Sequence, residues 1–385
     1  MADRPFEVLI VGGGYAAFEA AFRLQRVAGS ATQTTILAPD THLAARPMAV
    51  LAPFAAGHAP RVPLAKLAGA AAARLSHGRM ISVDVEAHHA VTDDGETIAY
   101  DALLIAIGAV QRLPPAHTLA FGTPGSEERM HGLIQDLEGG YVRKIAFVVP
   151  AGASWPLALY ELALMSAERA YDMCQRGDLM LLTAEPAPLA IFGEQASRAL
   201  AARLYSAGVT VRTAVDVEVP ACGLIELHPG GERMTVDRIV TLPLFDGPAI
   251  DGLPHDEHGF LAVDDHGRVE GVADVYAAGD VTHHPIKQAG LACQQADVAA
   301  DMIAAQAGVA IEPQPYRPIL EGVLLTERAT MIMRREKDAA GNDNSVVARA
   351  GRWRGPTKAI GRELAAHLAA ADPQRTAHPG SGRVA

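Results

Sequence analysis

Apolar runs that are broken by glycine and followed by helical periodicity recur along this chain. In the first of them, Val8–Val11 is uninterrupted, as is typical of a strand buried on both faces of a sheet. Three glycines at positions 12–14 end the run, and Ala16–Leu24 then has the composition and spacing of a helix. The chain therefore begins with a strand, a glycine turn and a helix.

The middle of the chain repeats this layout. Ile145–Val149 predicts a second buried strand and Pro150–Trp155 a turn, with Ser154 as the N-cap of a long helix that Gly177 would end. Strands that alternate with helices favour parallel sheets covered on both faces, so the predicted fold class is α/β, with two doubly wound domains in tandem. Further elements of this kind are the predicted strands Thr34–Ala38, Asp101–Ala109, Leu179–Thr183 and Thr210–Arg212 and the predicted helices Val62–Ala73 and Gln195–Ala207.

The rest of the pattern is less regular. Residues 42–57 predict no regular element, and the later part of the chain is expected to add a small C-terminal α+β segment. A polar loop over Glu336–Ser345 and a disordered tail over Ala371–Ala385 are also predicted, the tail because it lacks apolar periodicity. The remaining predicted elements are the strands Met80–Ala87, His89–Thr92, Thr97–Tyr100, Val269–Asp280, Leu324–Thr326, Ala329–Met333 and Val346–Ala350, a helix over Gln288–Gln306 and a helix after Pro356.

Composition narrows the function classes. The formal net charge of -11 disfavours nucleic acid as a partner, because phosphates attract basic surfaces. No apolar run reaches the length of a transmembrane helix, and the start of the sequence has no signal-peptide pattern, so a cytoplasmic location is expected. Peripheral contact with a membrane and homodimerisation are left open. Cys174, Cys222 and Cys293 form no zinc or C-x-x-C pattern, and the pairs His88-His89 and His283-His284 form no natural metal site, so no metal is assigned.

The first glycine turn has a specific physical use. A helix N-terminus attracts negative charge through its free N–H groups and its dipole, so such a turn brings a diphosphate against the helix. Gly12 permits the tight turn, Gly14 permits close approach of a pyrophosphate, and Ala17 lets helix and strand pack closely. At the end of the next strand, where an acidic residue often holds a ribose, stands Ala38. Asp40 lies two residues later and reads either as a ribose ligand or as part of a Pro-Asp turn.

Three motifs occur together in one order: G-G-G-Y-A-A from Gly12, L-L-I-A-I-G-A over Leu103–Ala109, and V-Y-A-A-G-D over Val275–Asp280. The combination resembles the flavoproteins with two dinucleotide-binding domains, the pyridine nucleotide-disulfide oxidoreductase type, over about residues 5–370. The resemblance implies FAD as cofactor, Asp280 as acceptor for its ribityl hydroxyls, and two Rossmann-like domains. It implies cofactor binding at Gly12, Gly14, Tyr15, Ala17, Ala38, Arg46, Ala106, Gly108, Gly279, Asp280, Lys287 and Gln288.

The resemblance also implies domain boundaries. Residues 1–114 and 255–312 are expected to form the FAD-binding domain, and residues 115–254 an NAD(P)-binding-like domain. Residues 313–371 are expected to be a C-terminal segment that covers the flavin, and residues 372–385 a disordered tail.

Finer details resemble the branch of sulfide:quinone oxidoreductases and flavocytochrome c sulfide dehydrogenases. In that branch the segment that contains Lys287 lies against the flavin ring, which makes Lys287 the candidate catalytic residue: it would stabilise negative charge near flavin N1 and O2. An ordinary surface lysine is the alternative. The stretches that carry this resemblance are Ala151–Leu162, Pro188–Gly193, Pro285–Gly290 and Gly355–Leu364.

Two departures from the family matter. Sulfide oxidation in that branch uses a pair of cysteines near the flavin, but Cys174 is expected inside the long helix and Cys293 as a buried, unreactive thiol. Where NAD(P)H-dependent relatives have G-x-G-x-x-G, this chain has Pro150, Gly152 and Trp155, and the bulky indole should obstruct the usual phosphate site. Whether NAD(P)H binds is therefore left open. If it does, Glu185 would favour NADH, because a carboxylate can hold ribose hydroxyls but repels a 2′-phosphate.

These patterns predict an FAD-dependent oxidoreductase that passes two electrons from a small donor to a quinone or another acceptor. A dehydrogenase of the type II NADH kind, with a non-standard nicotinamide site, is the first alternative. A flavin-bearing sensor or binding protein without turnover is the second.

Overall fold

The computed structural model describes residues 4–338, 341–351, 355, 357–359 and 361–371, so the tail predicted over residues 372–385 lies outside it. The helices are α1 (Tyr15–Ala28), α2 (Leu64–Ala70), α3 (Ser126–Glu138), α4 (Leu157–Asp172), α5 (Glu194–Ser206), α6 (Ala289–Gln306) and α7 (Leu364–Ala371), with 3-10 turns at Gly29–Ala31, Arg46–Phe54 and Ala190–Phe192. The strands are β1 (Phe6–Val11), β2 (Thr32–Ala38), β3 (His42–Ala44), β4 (Arg61–Pro63), β5 (Arg74–His77), β6 (Met80–Asp84), β7 (His89–Thr92), β8 (Thr97–Ala99), β9 (Ala102–Ile105), β10 (Val110–Gln111), β11 (Leu119–Ala120), β12 (Lys144–Val149), β13 (Asp178–Thr183), β14 (Thr210–Arg212), β15 (Asp216–Ala221), β16 (Leu224–His228), β17 (Glu232–Thr235), β18 (Arg238–Thr241), β19 (Phe245–Asp246), β20 (Val275–Ala277), β21 (Leu320–Leu325), β22 (Thr330–Lys337) and β23 (Asp343–Ala350).

The first parallel sheet joins the start of the chain to a late strand. Its order is β20-β9-β1-β2-β5, and Val8 pairs with Thr34 on one side and Ala102 on the other. Helices α1 and α6 pack together over this sheet, where small side chains allow a close approach. The buried alanines of this interface are Ala17, Ala20, Ala21, Ala296, Ala299 and Ala300. Because the carboxyl ends of parallel strands share one edge, the residues after β1, β9 and β20 meet there.

The second parallel sheet has the order β11-β18-β12-β13-β14 and belongs to the middle of the chain. Its β12 is fully apolar after the first residue, and Phe147 and Tyr160 lie in a core that also includes Phe192. Two sheets of this kind confirm the predicted α/β class with two tandem Rossmann-like units. Antiparallel meanders, β6-β7-β8 and β15-β16-β17, extend the first and second units respectively.

The C-terminal part forms the antiparallel sheet β21-β22-β23 followed by α7. The loop predicted over Glu336–Ser345 is wrong in extent, because strands run into this polar stretch and Lys337 pairs with Asp343. An ion pair between Arg335 and Asp343, 2.6 Å apart, bridges the two strands. Polar side chains are compatible with strands here because much of this hairpin is exposed.

Three local predictions also differ from the structure. Residues 42–57 are not irregular throughout, since they contain β3 and a 3-10 helix that begins at Arg46. The long helix α4 ends at Asp172, so Cys174 lies beyond it, exposed and at a φ of 54°. The N-cap of α4 is Pro156 and not Ser154, whose buried hydroxyl has no hydrogen-bond partner in the described part of the chain. Across the described ranges, no helix combines the length and the apolar content that crossing a bilayer requires.

Candidate functional site

The glycine turn after β1 is closed tightly at Gly12. This residue has a φ of +132°, and a Cβ atom there would lie 2.2 Å from the carbonyl oxygen of Ala106. Its N–H donates to the carbonyl of Leu37 at 2.8 Å. Only glycine fits a backbone that is held between two neighbouring strands in this way. Ala106 therefore acts through its backbone, which closes the turn from the β9 side.

The same turn is open at Gly14. A Cβ atom built on Gly14 would meet no protein atom within 4 Å, although its φ of -96° is accessible to any residue. Gly14 is the N-cap of α1 and supplies no side-chain hydrogen bond to the first turn of that helix. The free N–H groups of this turn therefore face open space, which is what a diphosphate needs. Ala17 lies one turn further along and is fully buried against the sheet.

Asp280 follows β20 at the same edge, and its carboxylate lacks a hydrogen bond from any residue that the structure describes. Burial raises the pKa of this carboxyl, while the nearby charges of Lys287 and Arg46 partly oppose that shift. A partly buried carboxylate without donors carries a cost in stability, and ribityl hydroxyls are suitable donors for it. The open helix N-terminus and the unpartnered carboxylate both fit an FAD molecule that extends across this edge.

Lys287 lies between Asp280 and an aromatic ring. Its Nζ donates to the carbonyl of Thr282 at 2.6 Å and lies 3.8 Å from the centre of the Phe260 ring. Burial lowers the pKa of Lys287 to about 8, and the carboxylates of Asp280 and Asp256 work against that shift. The lysine is therefore half-buried at this edge, with its ammonium group held by a backbone carbonyl and an aromatic ring.

The backbone at the other two strand ends is also shaped by glycine. Gly108 has a φ of +79°, and a Cβ atom built on it would meet no protein atom within 4 Å, so the space beside the sheet edge is open there. Gly279 has a φ of +84° and donates its N–H to the side chain of Gln295 at 2.8 Å. A side chain at Gly279 would press on Ala292 and Ala16, at 3.2 and 3.4 Å. These positions pack the edge closely enough for a flat cofactor to lie along it.

Tyr15 and Gln288, two further positions that were predicted to bind the cofactor, have protein partners. The hydroxyl of Tyr15 is 3.0 Å from that of Thr357, in the C-terminal segment. Gln288 caps α6 by accepting a hydrogen bond from the N–H of Leu291 at 2.7 Å, and its amide nitrogen donates to a backbone carbonyl. Ala38 is buried beneath the glycine turn, whereas Asp40 is exposed just beyond β2.

The corresponding turn of the second sheet carries a bulky side chain. Trp155 is partly buried and packs edge-on against Phe192, with ring centres 5.8 Å apart, next to the core beneath α4. Glu185 follows β13, and one carboxylate oxygen accepts hydrogen bonds from Tyr160 at 2.6 Å and Thr183 at 3.1 Å. Its other oxygen is buried without a partner in the described chain. Burial raises the pKa of Glu185, and the hydrogen bonds from Tyr160 and Thr183 partly oppose that shift.

The cysteines and histidines form no second redox or metal centre within the described ranges. Cys174 and Cys222 are exposed, Cys293 is buried, and all three are free thiols. Burial and the neighbouring Glu19 carboxylate raise the pKa of Cys293, which makes its thiol unreactive. Among the described residues, no three side chains of the metal-binding types lie close enough together to hold a metal ion.

Two buried acidic residues were missed in the sequence. Glu19 of α1 and Glu161 of α4 are both 0% exposed, and both bind residues of the C-terminal segment. A signal was present, since each stands alone in an apolar helical stretch, A-F-E-A-A-F and L-Y-E-L. A single acid on the buried face of a helix indicates a specific partner, because burial of an unpaired charge is costly.

Comparison with known proteins agrees with this geometry. The family model described as pyridine nucleotide-disulphide oxidoreductase matches residues 6–296. An NADH dehydrogenase-like protein of Mycobacterium tuberculosis is 30% identical over 235 residues, which cover 57% of this chain and 58% of that protein. The oxidoreductase ptaL of Pestalotiopsis fici is 24% identical over 351 residues, 82% of this chain and 87% of that protein.

Solved structures share the fold. The sulfide:quinone oxidoreductase from Aquifex aeolicus superposes with a TM-score of 0.81 at 17% identity, over 90% of this chain and 87% of that one. A ferredoxin reductase from Rhodopseudomonas palustris gives 0.65 at 19% identity, over 86% and 82%. The family that the sequence motifs resemble is thereby confirmed. With a family model that matches most of its length, this chain belongs to the pyridine nucleotide-disulphide oxidoreductases.

Proposed function

We propose that this protein is an FAD-dependent oxidoreductase that passes two electrons from a small donor, not a nicotinamide nucleotide, to a quinone or another acceptor. One contrast carries the proposal: the first turn has the small residues Gly12, Gly14 and Ala17, whereas the matching positions of the second turn are Pro150, Gly152 and Trp155, with the indole of Trp155 against Phe192. The FAD-binding domain would comprise residues 1–114 and 255–312, with residues 115–254 as a second unit that has lost its usual ligand.

The residues of the first turn would hold FAD in distinct ways. Gly12 fixes the turn, Gly14 and the first N–H groups of α1 would receive the diphosphate, and Asp280 would accept hydrogen bonds from the ribityl chain. When bound, FAD supplies two-electron chemistry at its ring. Lys287 would place a positive charge beside that ring and hold it there through Thr282. The same lysine would favour electron uptake by stabilising developing negative charge.

A pH-dependent difference in flavin potential tests Lys287. Because the pKa of Lys287 is lowered to about 8, its positive charge is present below that pH and lost above it. The midpoint potential of bound FAD should therefore be higher in the wild type than in Lys287→Met at pH 6.5. The difference should shrink above pH 8, and Lys287→Arg should keep it to higher pH because guanidinium stays charged. Equal potentials in all three proteins at pH 6.5 would remove Lys287 from the proposed site.

The proposed donor follows from the second sheet edge. The bulky Trp155 stands at the turn position where nicotinamide-dependent relatives have a glycine, and Glu185 is engaged by Tyr160 and Thr183. The residues of this turn do not fit NAD(P)H in the usual way. A donor of another chemical class, reaching the flavin directly, is therefore favoured. The fold shared with a sulfide:quinone oxidoreductase supports a quinone acceptor, although this chain lacks a cysteine pair beside the first sheet edge among its described residues.

Anaerobic mixing of the holoprotein with a panel of donors tests this proposal. NADH, NADPH, sulfide and a hydroquinone are each added under argon, and the loss of the flavin absorbance band is followed with time. We expect slow or no loss with either nicotinamide nucleotide and faster loss with one of the others. Reoxidation by a soluble quinone is then measured after the donor is removed. Rapid bleaching by NADH, with saturation, would overturn the proposed donor class.

An NADH dehydrogenase is the second candidate function. The observation in its favour is the 30% identity to the NADH dehydrogenase-like protein, over a matched segment that covers only 58% of that protein. In this case NADH would bind across the surface of Trp155 and not beneath it. The donor panel separates the two candidates, since only this one predicts fast reduction by NADH.

A further inference from the structure

The last described residues connect the two parallel-sheet units. We define the C-terminal clasp as residues 357–371, of which 357–359 and 361–371 are described. The clasp carries charged and polar groups that are buried by partners on α1 and α4. The residues that it contacts on α1 lie more than a hundred positions before those that it contacts on α4.

The contact with α4 is a buried ion pair. Lys358 is 7% exposed and Glu161 is 0% exposed, and the Nζ of Lys358 is 2.5 Å from both carboxylate oxygens. The N–H of Leu325 donates to the same carboxylate at 2.7 Å, so β21 is tied into the pair. Burial is the main influence on both groups and raises the pKa of Glu161 while it lowers that of Lys358. The clasp is thereby fixed to the second unit.

The contact with α1 begins at its first turn. The hydroxyls of Tyr15 and Thr357 are 3.0 Å apart, and Tyr15 directly follows the open Gly14. Deeper in the helix, the carboxylate of Glu19 accepts hydrogen bonds from the N–H groups of Glu363 and Leu364 at 2.9 and 2.8 Å. Glu19 of α1 therefore caps the N-terminus of α7, whose first N–H groups would otherwise lack acceptors.

Further contacts hold α7 along α1. The side chain of Glu363 lies 2.7 Å from Arg26 and 3.8 Å from Arg23. The ring of His367 stacks on Phe22, with centres 3.8 Å apart and planes 6° from parallel. The clasp thus contacts the first turn of α1 through Thr357, α4 through Lys358, and α1 again from Glu363 to His367.

We propose that the C-terminal clasp controls the release of FAD, and that Glu161, Lys358 and Glu19 are its positioning residues. The inference rests on the proposed FAD site. A dinucleotide with its diphosphate at Gly14 would lie beside Tyr15 and Thr357, so the clasp must move before the cofactor leaves. Buried ion pairs contribute little net stability, but they select one geometry, which is what a clasp requires.

The test measures the rate at which holoprotein loses FAD. Wild type, Glu161→Gln/Lys358→Met and Tyr15→Phe are diluted, and the rise in fluorescence of free FAD is followed. The double variant removes the charges but keeps the volume of both side chains, so it leaves no unpaired ion in the core. Loss of hydrogen bonds to charged groups predicts release that is about tenfold to a hundredfold faster in the double variant. Tyr15→Phe should give a smaller increase, since one neutral hydrogen bond is lost.

Arg203→Met is the matched control. Arg203 of α5 donates to Thr326 at 2.5 Å and to the carbonyl of Ala329 at 3.1 Å, so it ties the C-terminal sheet to the second unit without touching the clasp. Its loss should lower the melting temperature and leave the FAD release rate at the wild-type value. Equal release rates from wild type and the double variant would overturn the clasp.

Hydrogen exchange keeps the test informative if a variant folds poorly. In the wild-type protein, peptides covering residues 357–371 should exchange more slowly with FAD bound than without it. Equal exchange in both forms would contradict the clasp. A wild-type protein that binds no FAD at all would instead contradict the proposed function, so the two failures are distinguishable.

Discussion

Gly12→Ala is expected to give protein that is colourless after purification and melts well below the wild type. The added Cβ would lie 2.2 Å from the carbonyl oxygen and 2.6 Å from the carbonyl carbon of Ala106, and both are backbone atoms that cannot turn away. The φ of +132° adds strain for any residue with a side chain. Overpacking and backbone strain together predict a loss of about 3 kcal/mol or more in the free energy of unfolding. Circular dichroism melting and the ratio of flavin to protein absorbance measure the two effects.

Gly14→Ala is the matched control, because it adds the same methyl group two residues away. Here the methyl group meets no protein atom within 4 Å and the φ of -96° suits alanine. The apoprotein should therefore melt only a few degrees below the wild type, since alanine is less favourable than glycine at an N-cap by about 1 kcal/mol or less. FAD binding should nevertheless weaken, because the methyl group enters the space proposed for the diphosphate. If Gly14→Ala binds FAD as tightly as the wild type, the diphosphate does not lie at this turn.

The periodicity of the sequence predicted the central strands of the two parallel sheets, because these strands are buried on both faces. Such strands are apolar, as residues 179–182 are, and no partner needs to be known to recognise them. Thr210–Arg212 was predicted with the bounds that the structure has. Half-exposed strands were harder: the polar residues of β22 and β23 suggested a loop, yet pairing of Lys337 with Asp343 continues the ladder.

The glycine turn was predicted as a unit, but the different tasks of its residues were visible only in the structure. Gly12 is constrained by Ala106, which lies 94 positions later in the sequence, whereas Gly14 faces open space. The clasp was missed for the same reason. Glu19 meets residues that follow it by 344 and 345 positions, and Glu161 meets one that follows by 197. An acid in an apolar helix indicates that a partner exists, and only the fold identifies it.

Asp280→Asn is expected to stabilise the apoprotein and weaken FAD binding. Without cofactor, this carboxylate has no hydrogen bond from the described residues, and burial raises its pKa. Because the folded pKa lies above the unfolded value, the apoprotein loses stability as pH rises from about 4 through the folded pKa, and asparagine removes that loss. The gain in the free energy of unfolding at pH 7 should be about 1 kcal/mol, the lower end of the cost of an unsatisfied buried group, because Asp280 is only partly buried.

The effect on the cofactor should have the opposite sign. A carboxylate binds hydroxyl donors more strongly than an amide oxygen, so FAD affinity should fall by about tenfold or more. Asp301→Asn supplies the contrast, since Asp301 accepts two hydrogen bonds from Arg23 at 2.7 Å and lies away from the sheet edge. That variant should lose stability and retain FAD affinity. Chemical unfolding of each apoprotein measures its stability, and titration with FAD measures its affinity for the cofactor. An Asp280→Asn apoprotein that is less stable than the wild type would mean that the carboxylate has a protein partner. If instead the Asp280→Asn apoprotein is more stable and binds FAD more weakly, Asp280 is a residue that the fold maintains at a cost in stability, because its hydrogen-bond donors arrive with the cofactor.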